Sequence, residues 1–416
     1  MSDNTPNPKH PYGKYNGNEL EYVTRVLSSE DPDETGVAWV PELESAFAQR
    51  FGKKYGIACN SATSGLHMAL AAAGVGPGDE VISPALNVVM GAYVTLHLGA
   101  VPVFADVDPF THNIDPDDVA KKITPKTKAI LAVAWNGLPI DIDPLMALAE
   151  KYGIVVIEDL AEDVLGMNQG RLSGTVGHMG VWSFNFKKHL RGATEGGLIL
   201  TDDPDLATKA RKFGGIGYKT LGPDGGSINF GRRDVQNPHF ERFDAIGLNY
   251  RMSQISAAVC LAQVERMDDL VAKRKIIGRM YLDALGGADW MVPQGVPDGY
   301  VHSYYSCAFD YRGAEMRGVP WQTFYDRFME LGGDGFYAEL QCPYNEPAMR
   351  SLEVAGRKVR PECGCPVAED LQPRLMKFKT SYRDLGLAER MTGLLHQVAV
   401  EVESGALSSP RTAMAG

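Results

Sequence analysis

The sequence predicts an α/β protein: a mostly parallel central sheet with helices on both faces, plus a smaller C-terminal α/β unit. Two observations carry this. From residue 55 onward short apolar runs alternate with helical segments, and strand–helix–strand alternation implies a parallel sheet buried between helical layers. The chain has 416 residues, 44% hydrophobic and 22% charged, so its composition is ordinary for a globular protein and its length exceeds one typical domain.

The start, Met1-Ser2-Asp3-Asn4-Thr5-Pro6-Asn7-Pro8, is polar and proline-rich, lacks the regions of a signal peptide, and reads as a loose arm. Helical spacing follows over 18–29 (Leu20, Val23, Val26, Leu27) and 41–51 (Leu43, Phe47, Phe51). Tyr55–Cys59, Glu80–Ser83, Val101–Ala105, Ala129–Ala134 and Ile154–Ile157 read as strands, with helices over 64–74, 88–98, 115–122 and 141–152 between them. Trp182-Ser183-Phe184 reads as a short strand leaving the core. A tight loop with Lys187 and Lys188 follows, and Gly196-Gly197 opens the next strand. A helix is expected over 203–213. The glycine- and asparagine-rich stretch 214–247 is too long for a plain connector and is either functional or disordered.

One long helix, 253–284, is expected to bridge two domains. Strands at 300–311 and around Cys342-Pro343, with helices over 320–331 and 386–402, furnish the second domain. Ser408–Gly416 reads as a frayed tail. The organisation expected is an arm and helix (1–35), a large domain (36–265) and a small domain (266–416).

Several classes are disfavoured. A net charge of -11 is wrong for a nucleic-acid surface, which needs clustered Lys and Arg. No run of about 18 apolar residues is present to span a membrane. Six scattered cysteines in a large chain suit reduced thiols in the cytoplasm, and Cys363-Gly364-Cys365 lacks the partner pair of a metal site.

Ligands of such sheets sit at the carboxyl ends of the strands. After Cys59 comes Asn60-Ser61-Ala62-Thr63-Ser64-Gly65, which reads either as plain helix capping or as an anion cup at the helix N-terminus. After Ala134, Trp135-Asn136-Gly137 forms a loop. After Ile157, Glu158-Asp159 places acids on a buried strand end, costly unless paired; Asp159 is either a helix cap or the partner of a buried cation. The two lysines by themselves read as solvated loop charges. Neither glycine cluster, at 74–78 or 214–217, has the dinucleotide spacing.

Taken in order, eight stretches resemble the DegT/DnrJ/EryC1/StrS sugar aminotransferase family. They are Asn60 to His67, Gly76 to Ile82, Pro102 to Asp108, Thr124 to Ile130, Glu158-Asp159, Ser183-Phe184 with Lys188, Glu195-Gly196-Gly197, and Asn249-Tyr250-Arg251-Met252. The resemblance implies a pyridoxal-phosphate enzyme of the aspartate-aminotransferase fold (fold type I). It implies Lys188 as the residue that holds the cofactor aldehyde and shuttles the proton, and Asp159 as the partner of the pyridine nitrogen. It implies Ala62, Thr63 and Ser183 at the phosphate, and Asn249 reaching the phosphate of a partner subunit in a homodimer with shared sites.

Three positions depart from the family pattern. Val88 stands where an aromatic residue usually stacks on the ring, Glu162 stands where Gln is frequent, and His189 follows the lysine. Trp135, Asn136, His189, Arg251 and His302 are candidate substrate contacts. Arg232, Arg233 and Arg242 are candidates for a diphosphate or carboxylate, or else exposed loop charges. The function implied is transfer of an amino group from an amino acid, Glu or Gln, to a nucleotide-linked keto-sugar. The alternatives are a cyclitol-ketone aminotransferase and a non-catalytic regulator of the same fold.

Overall fold

The computed structural model describes residues 15–29, 38–226, 228 and 230–407. The expected arm at Met1–Pro8 and tail at Ser408–Gly416 lie outside the described residues. A seven-stranded sheet organises the molecule: β1 (Tyr55–Cys59), β2 (Glu80–Pro84), β3 (Val101–Ala105), β4 (Thr127–Val133), β5 (Val155–Leu160), β6 (Met179–Ser183) and β7 (Gly197–Thr201). Their order is β1-β7-β6-β5-β4-β2-β3. Strands β2 to β6 are parallel, and β7 runs antiparallel between β1 and β6. Six carboxyl ends, β1 to β6, therefore share one edge.

The strand sequences are nearly all apolar because both faces are covered. Alternate residues divide between two cores. Ile82, Ile130, Val156 and Leu198 pack with Phe47, Leu145 and Ala257 on one face. Val81, Leu131, Ile157, Val181 and Ile199 pack with Leu66, Ala69 and Ala210 on the other. Each such side chain contributes about 1.5–3 kcal/mol on burial, and a one-residue slip would exchange the two faces.

A second, antiparallel sheet has the order β8-β9-β11-β10, from β8 (Met291–Pro293), β9 (Ser306–Tyr311), β10 (Tyr337–Ala338) and β11 (Leu375–Lys379). Its core joins Phe309 and Phe378 to Tyr281, Phe324 and Leu395 of the helices Met267–Leu285, Trp321–Glu330 and Leu385–Glu403.

Three expectations need correction. The long helix 253–284 is two helices, Gln254–Val264 and Met267–Leu285. Arg266 breaks it with φ -129° and ψ 26°, its guanidinium drawn to Asn16 and Glu19, and Asp268 and Asp269 then favour a fresh helix start. The bridging is nevertheless present in the second helix. Met267 and Val271 belong to the large core, whereas Ile277, Tyr281 and Leu285 belong to the small one.

The strand 300–311 is interrupted, because Ser303 N–H donates to Gly137 O at 2.8 Å instead of to a ladder and Tyr304 takes φ 53°. Cys342-Pro343 opens a 3-10 turn, Pro343–Asn345; proline has no ladder donor, and Leu375–Lys379 fills the sheet instead. The described residues of the stretch 214–247 form turns, isolated bridges and the short helix Arg232–Gln236.

Candidate active site

A cleft of about 740 Å³ opens at the carboxyl edge of the large sheet, closed on its far side by the second sheet. Four loops after parallel strands deliver its floor: Val88 after β2, Trp135 after β4, Asp159 and Glu162 at and after β5, and Lys188 after β6. The helix Ala62–Ala72 enters by its N-terminus. Ser61 caps it, accepting from Ser64 N–H, so the N–H groups of Ala62 and Thr63 stand at the positive end of the helix with no intrahelical acceptor. Ala62, Thr63 and Ser183 line this end of the cleft.

The lysine loop is braced from within. Phe184 N–H donates to Gly196 O at 2.8 Å, Phe186 N–H to Thr194 O at 3.0 Å, and Lys188 N–H to Asn185 O at 2.9 Å. Lys187 is exposed at the rim of the cleft. Lys188 turns inward, its Nζ 3.1 Å from Glu162 Oε1 and 4.2 Å from the Tyr305 ring centre. Burial alone would lower the Lys188 pKa. The negative charge of Glu162, with Tyr305 and Asp159, outweighs that and holds it above the ordinary lysine range.

Asp159 is buried at the end of β5 and accepts a hydrogen bond from Ala161 N–H at 2.9 Å. Burial raises its carboxyl to about 6, against the lowering pull of that bond and of Lys188. Glu162 has a second donor, Asn136 N–H at 3.1 Å. Asn136, at φ 60°, is buried and accepts from Ser306 Oγ at 2.7 Å, so it joins the two sheets behind the cleft.

The sequence candidates separate clearly. Lys188, Asp159, Glu162, Ala62, Thr63, Ser183, Val88 and Trp135 come together around one cleft. Val88 presents an aliphatic face where the family pattern has an aromatic ring. Five candidates fall elsewhere, and Asn136, buried behind the cleft, is the first. His189 is buried behind the loop, its Nε2 3.1 Å from Ser303 O. His302 is buried, its Nδ1 accepts from Tyr304 N–H at 2.9 Å, and it stacks on Tyr304 at 4.0 Å. Neither lines the cleft, because the hydrogen bonds and packing of residues 302–305 turn both rings inward. Arg251 and Asn249 are exposed and do not line the cleft of their own chain. Arg233 and Arg242 likewise do not line it.

Two groups escaped the sequence reading. Arg274 lies under the lysine loop and donates to the carbonyls of Lys187 at 3.0 Å, Lys188 at 2.8 Å and Tyr305 at 2.9 Å, and to Thr380 Oγ1 at 3.1 Å. It had a signal: an arginine in the apolar stripe Met267, Val271, Arg274, Gly278, Tyr281. The other group is the pair Glu339 and Lys377, which meet at Trp135, itself a sequence candidate. Trp135 Nε1–H and Lys377 Nζ each donate to the buried Glu339 carboxylate at 2.9 Å, and Lys377 lies 4.8 Å over the Trp135 ring. No local pattern links residues so far apart.

Comparison with known proteins agrees with this geometry. The family model described as the DegT/DnrJ/EryC1/StrS aminotransferase family matches residues 14–378. The chain belongs to this family. It is an aminotransferase with a mostly parallel α/β core. It is 39% identical over 266 residues to GDP-perosamine synthase of Caulobacter vibrioides, covering 64% of this chain and 67% of that protein. Among solved structures it is similar to an aminotransferase from Psychrobacter cryohalolentis, with 27% identity, a TM-score of 0.77, and 94% and 97% of the two chains covered. It is also similar to DesI, solved in the presence of its TDP-sugar product, with 25% identity, a TM-score of 0.74, and 93% and 91% covered. Among the described residues no helix is long and apolar enough to cross a membrane, and no group of three or more His, Cys, Asp or Glu is arranged to hold a metal.

Proposed function

We propose that this chain carries pyridoxal 5'-phosphate on Lys188 and transfers an amino group from an amino acid, glutamate or glutamine, to a nucleotide-linked keto-sugar. The single observation that carries the reading is the convergence of Lys188 Nζ, the buried Asp159 carboxyl and the open N-terminus of helix Ala62–Ala72 on one cleft.

These groups fit the cofactor. The free N–H groups of Ala62 and Thr63, with the Ser183 hydroxyl, suit a phosphate. A carboxyl raised by burial gains most from a facing cationic ring N–H. When bound, the cofactor supplies an electron sink at the carbon whose proton is moved. Asp159 would hold the proton on the ring nitrogen. Glu162 steadies the Lys188 ammonium, and Lys188 acts as base only after giving up a proton at Nζ. Trp135 and Tyr305 exclude water from the floor. The sugar reading draws support from GDP-perosamine synthase and the TDP-sugar-bound DesI as relatives. A cleft of about 740 Å³, within the usual range for small-molecule sites, supports a cofactor with a further small substrate.

The active unit we propose is a cytoplasmic homodimer in which Asn249 serves the partner's cofactor. In support, Asn249 is exposed beside Leu248 and the nearly fully exposed Ile246, and Met90 and Phe186 are exposed at the cleft mouth. The domain boundary we propose runs through the helix Met267–Leu285.

The test is direct. The purified protein with added pyridoxal phosphate should turn yellow, and borohydride should fix the label on the peptide containing Lys188. A colourless protein with no label there sinks the proposal. Glutamate and glutamine should each be tried for bleaching of the band. Screening nucleotide keto-sugars against cyclitol ketones then decides the acceptor.

A further inference from the structure

Behind the lysine loop lies a second cavity, of about 310 Å³, between the helix Met267–Leu285 and the segment after β11. Five cations line it: Arg191, Arg266, Lys273, Arg274 and Arg383. Asp269 is the one carboxylate of the lining among the described residues. This concentration stands out in a chain of net charge -11.

The pairing around the cavity is incomplete. Arg266 is matched by Glu19, and Arg383 lies 3.4 Å from Asp384. Among the described residues, Arg191, Lys273 and Arg274 form no ion pair. Arg191 meets only the Tyr15 hydroxyl, Lys273 donates to the Arg383 carbonyl, and Arg274 donates to carbonyls and Thr380. Arg191 and Arg274 are 7% and 5% exposed. His189, 3% exposed, is also part of the wall, and its Nδ1 has no hydrogen-bond partner among the described residues.

Arg274 feels the Glu162 carboxylate and the half-buried Lys273 feels Asp384, neither in ion-pair contact. Burying Arg191 and Arg274 with no carboxylate in contact still costs several kcal/mol each unless something of opposite sign joins them. Burial has already pulled the Arg274 pKa down to about 10. The main cleft cannot serve these groups, because Arg274 is the only one of the five cations that also lines it.

We infer that this cavity is a binding site for a small oxyanion of the phosphate or diphosphate class, distinct from the cofactor cleft. Arg191 and Arg274 form its floor, and Lys273 and Arg383 its mouth. Guanidinium forks match phosphoryl oxygens in pairs, and the lysine adds a mobile point charge. Arg274 is the shared wall, so an anion here lies one residue from the Lys188 carbonyl.

The test is calorimetric titration of the full-length protein, saturated with pyridoxal phosphate so that the cleft is filled. The probes are inorganic phosphate, inorganic pyrophosphate and a nucleoside diphosphate, against chloride at matched ionic strength. Saturable binding of pyrophosphate, one per chain, is expected. The double variant K273M/R383Q should weaken it about tenfold or more, and Asp269→Asn should tighten it about threefold, as for charge changes at a half-buried site. Equal binding of the nucleoside diphosphate identifies the phosphoryl end of a larger metabolite; its failure beside pyrophosphate binding identifies the free anion. Either result supports the site. Absence of saturable binding, or an affinity indifferent to both sets of variants, overturns it.

Discussion

Gly197 lies against the backbone of Ser61: a β-carbon built on Gly197 would stand 2.6 Å from the Ser61 carbonyl oxygen and 2.7 Å from Ala62 N. The atoms it meets are backbone and cannot rotate away. The strand that follows the lysine loop therefore sets how closely the helix Ala62–Ala72 approaches the cleft. Gly197→Ala is expected to displace that N-terminus and lower the affinity for pyridoxal phosphate by about tenfold or more, since a small misplacement of a built site is costly. Titration of the cofactor's visible band measures this.

Asp159 makes the unliganded protein pH-sensitive. Its carboxyl titrates near 3.8 when unfolded and at about 6 when folded, with burial as the main cause. The folded state therefore holds more protons between those values, so this group's contribution to stability falls as pH rises from about 4 to 6. The penalty is complete above 6 and is of order 3 kcal/mol. Asp159→Asn should accordingly stabilise the cofactor-free protein at pH 7–8 by up to about 3 kcal/mol, while turnover falls by about 100-fold or more. Denaturant melts at pH 5 and pH 8 check the first effect, and steady-state assays check the second.

Glu162 is the largest of the groups that favour the Lys188 ammonium. In Glu162→Gln the carboxamide oxygen still accepts from Asn136 N–H, but burial of Lys188 is left less opposed. The pH midpoint for capture of pyridoxal phosphate should then move to lower pH. Capture at neutral pH should accelerate about tenfold, the factor equivalent to about 1.4 kcal/mol of lost pairing. Stopped-flow absorbance across a pH series gives the midpoint; a shift to higher pH would contradict the assignment.

Arg274 is a positioning residue for Lys188. Arg274→Lys keeps the charge and can satisfy only part of the acceptor set, at a cost of about 1–3 kcal/mol for each carbonyl left unpaired. Turnover should fall by about tenfold, and by more in Arg274→Met, with the pH midpoint of the cofactor band displaced in both. A residue that served only folding would lower the melting temperature and leave that midpoint in place.

The order of strands and helices was legible in the sequence, and so were Lys188, Asp159 and the helix end at Ala62 and Thr63 as residues that line one cleft. Each depends on neighbours in the chain: alternating apolar runs, a capping serine, a Gly-Gly pair after a short loop. Boundaries mostly moved by two residues or fewer. What the sequence could not decide depends on residues far apart. Arg266 splits a continuous helical pattern because Glu19, almost 250 positions earlier, draws its guanidinium aside. His189 and His302 looked available for substrate, yet Ser303 and Tyr304 bind their rings inward. Trp135, read as part of a loop after a strand, is buried because Glu339, just past β10, and Lys377 of β11 close over it. Local pattern selects backbone conformation and the buried face, whereas pairing of polar groups across the chain decides which side chains meet the cleft. Lys187 and Lys188 are adjacent and chemically identical, and only the fold gives one of them Glu162, Tyr305 and Asp159.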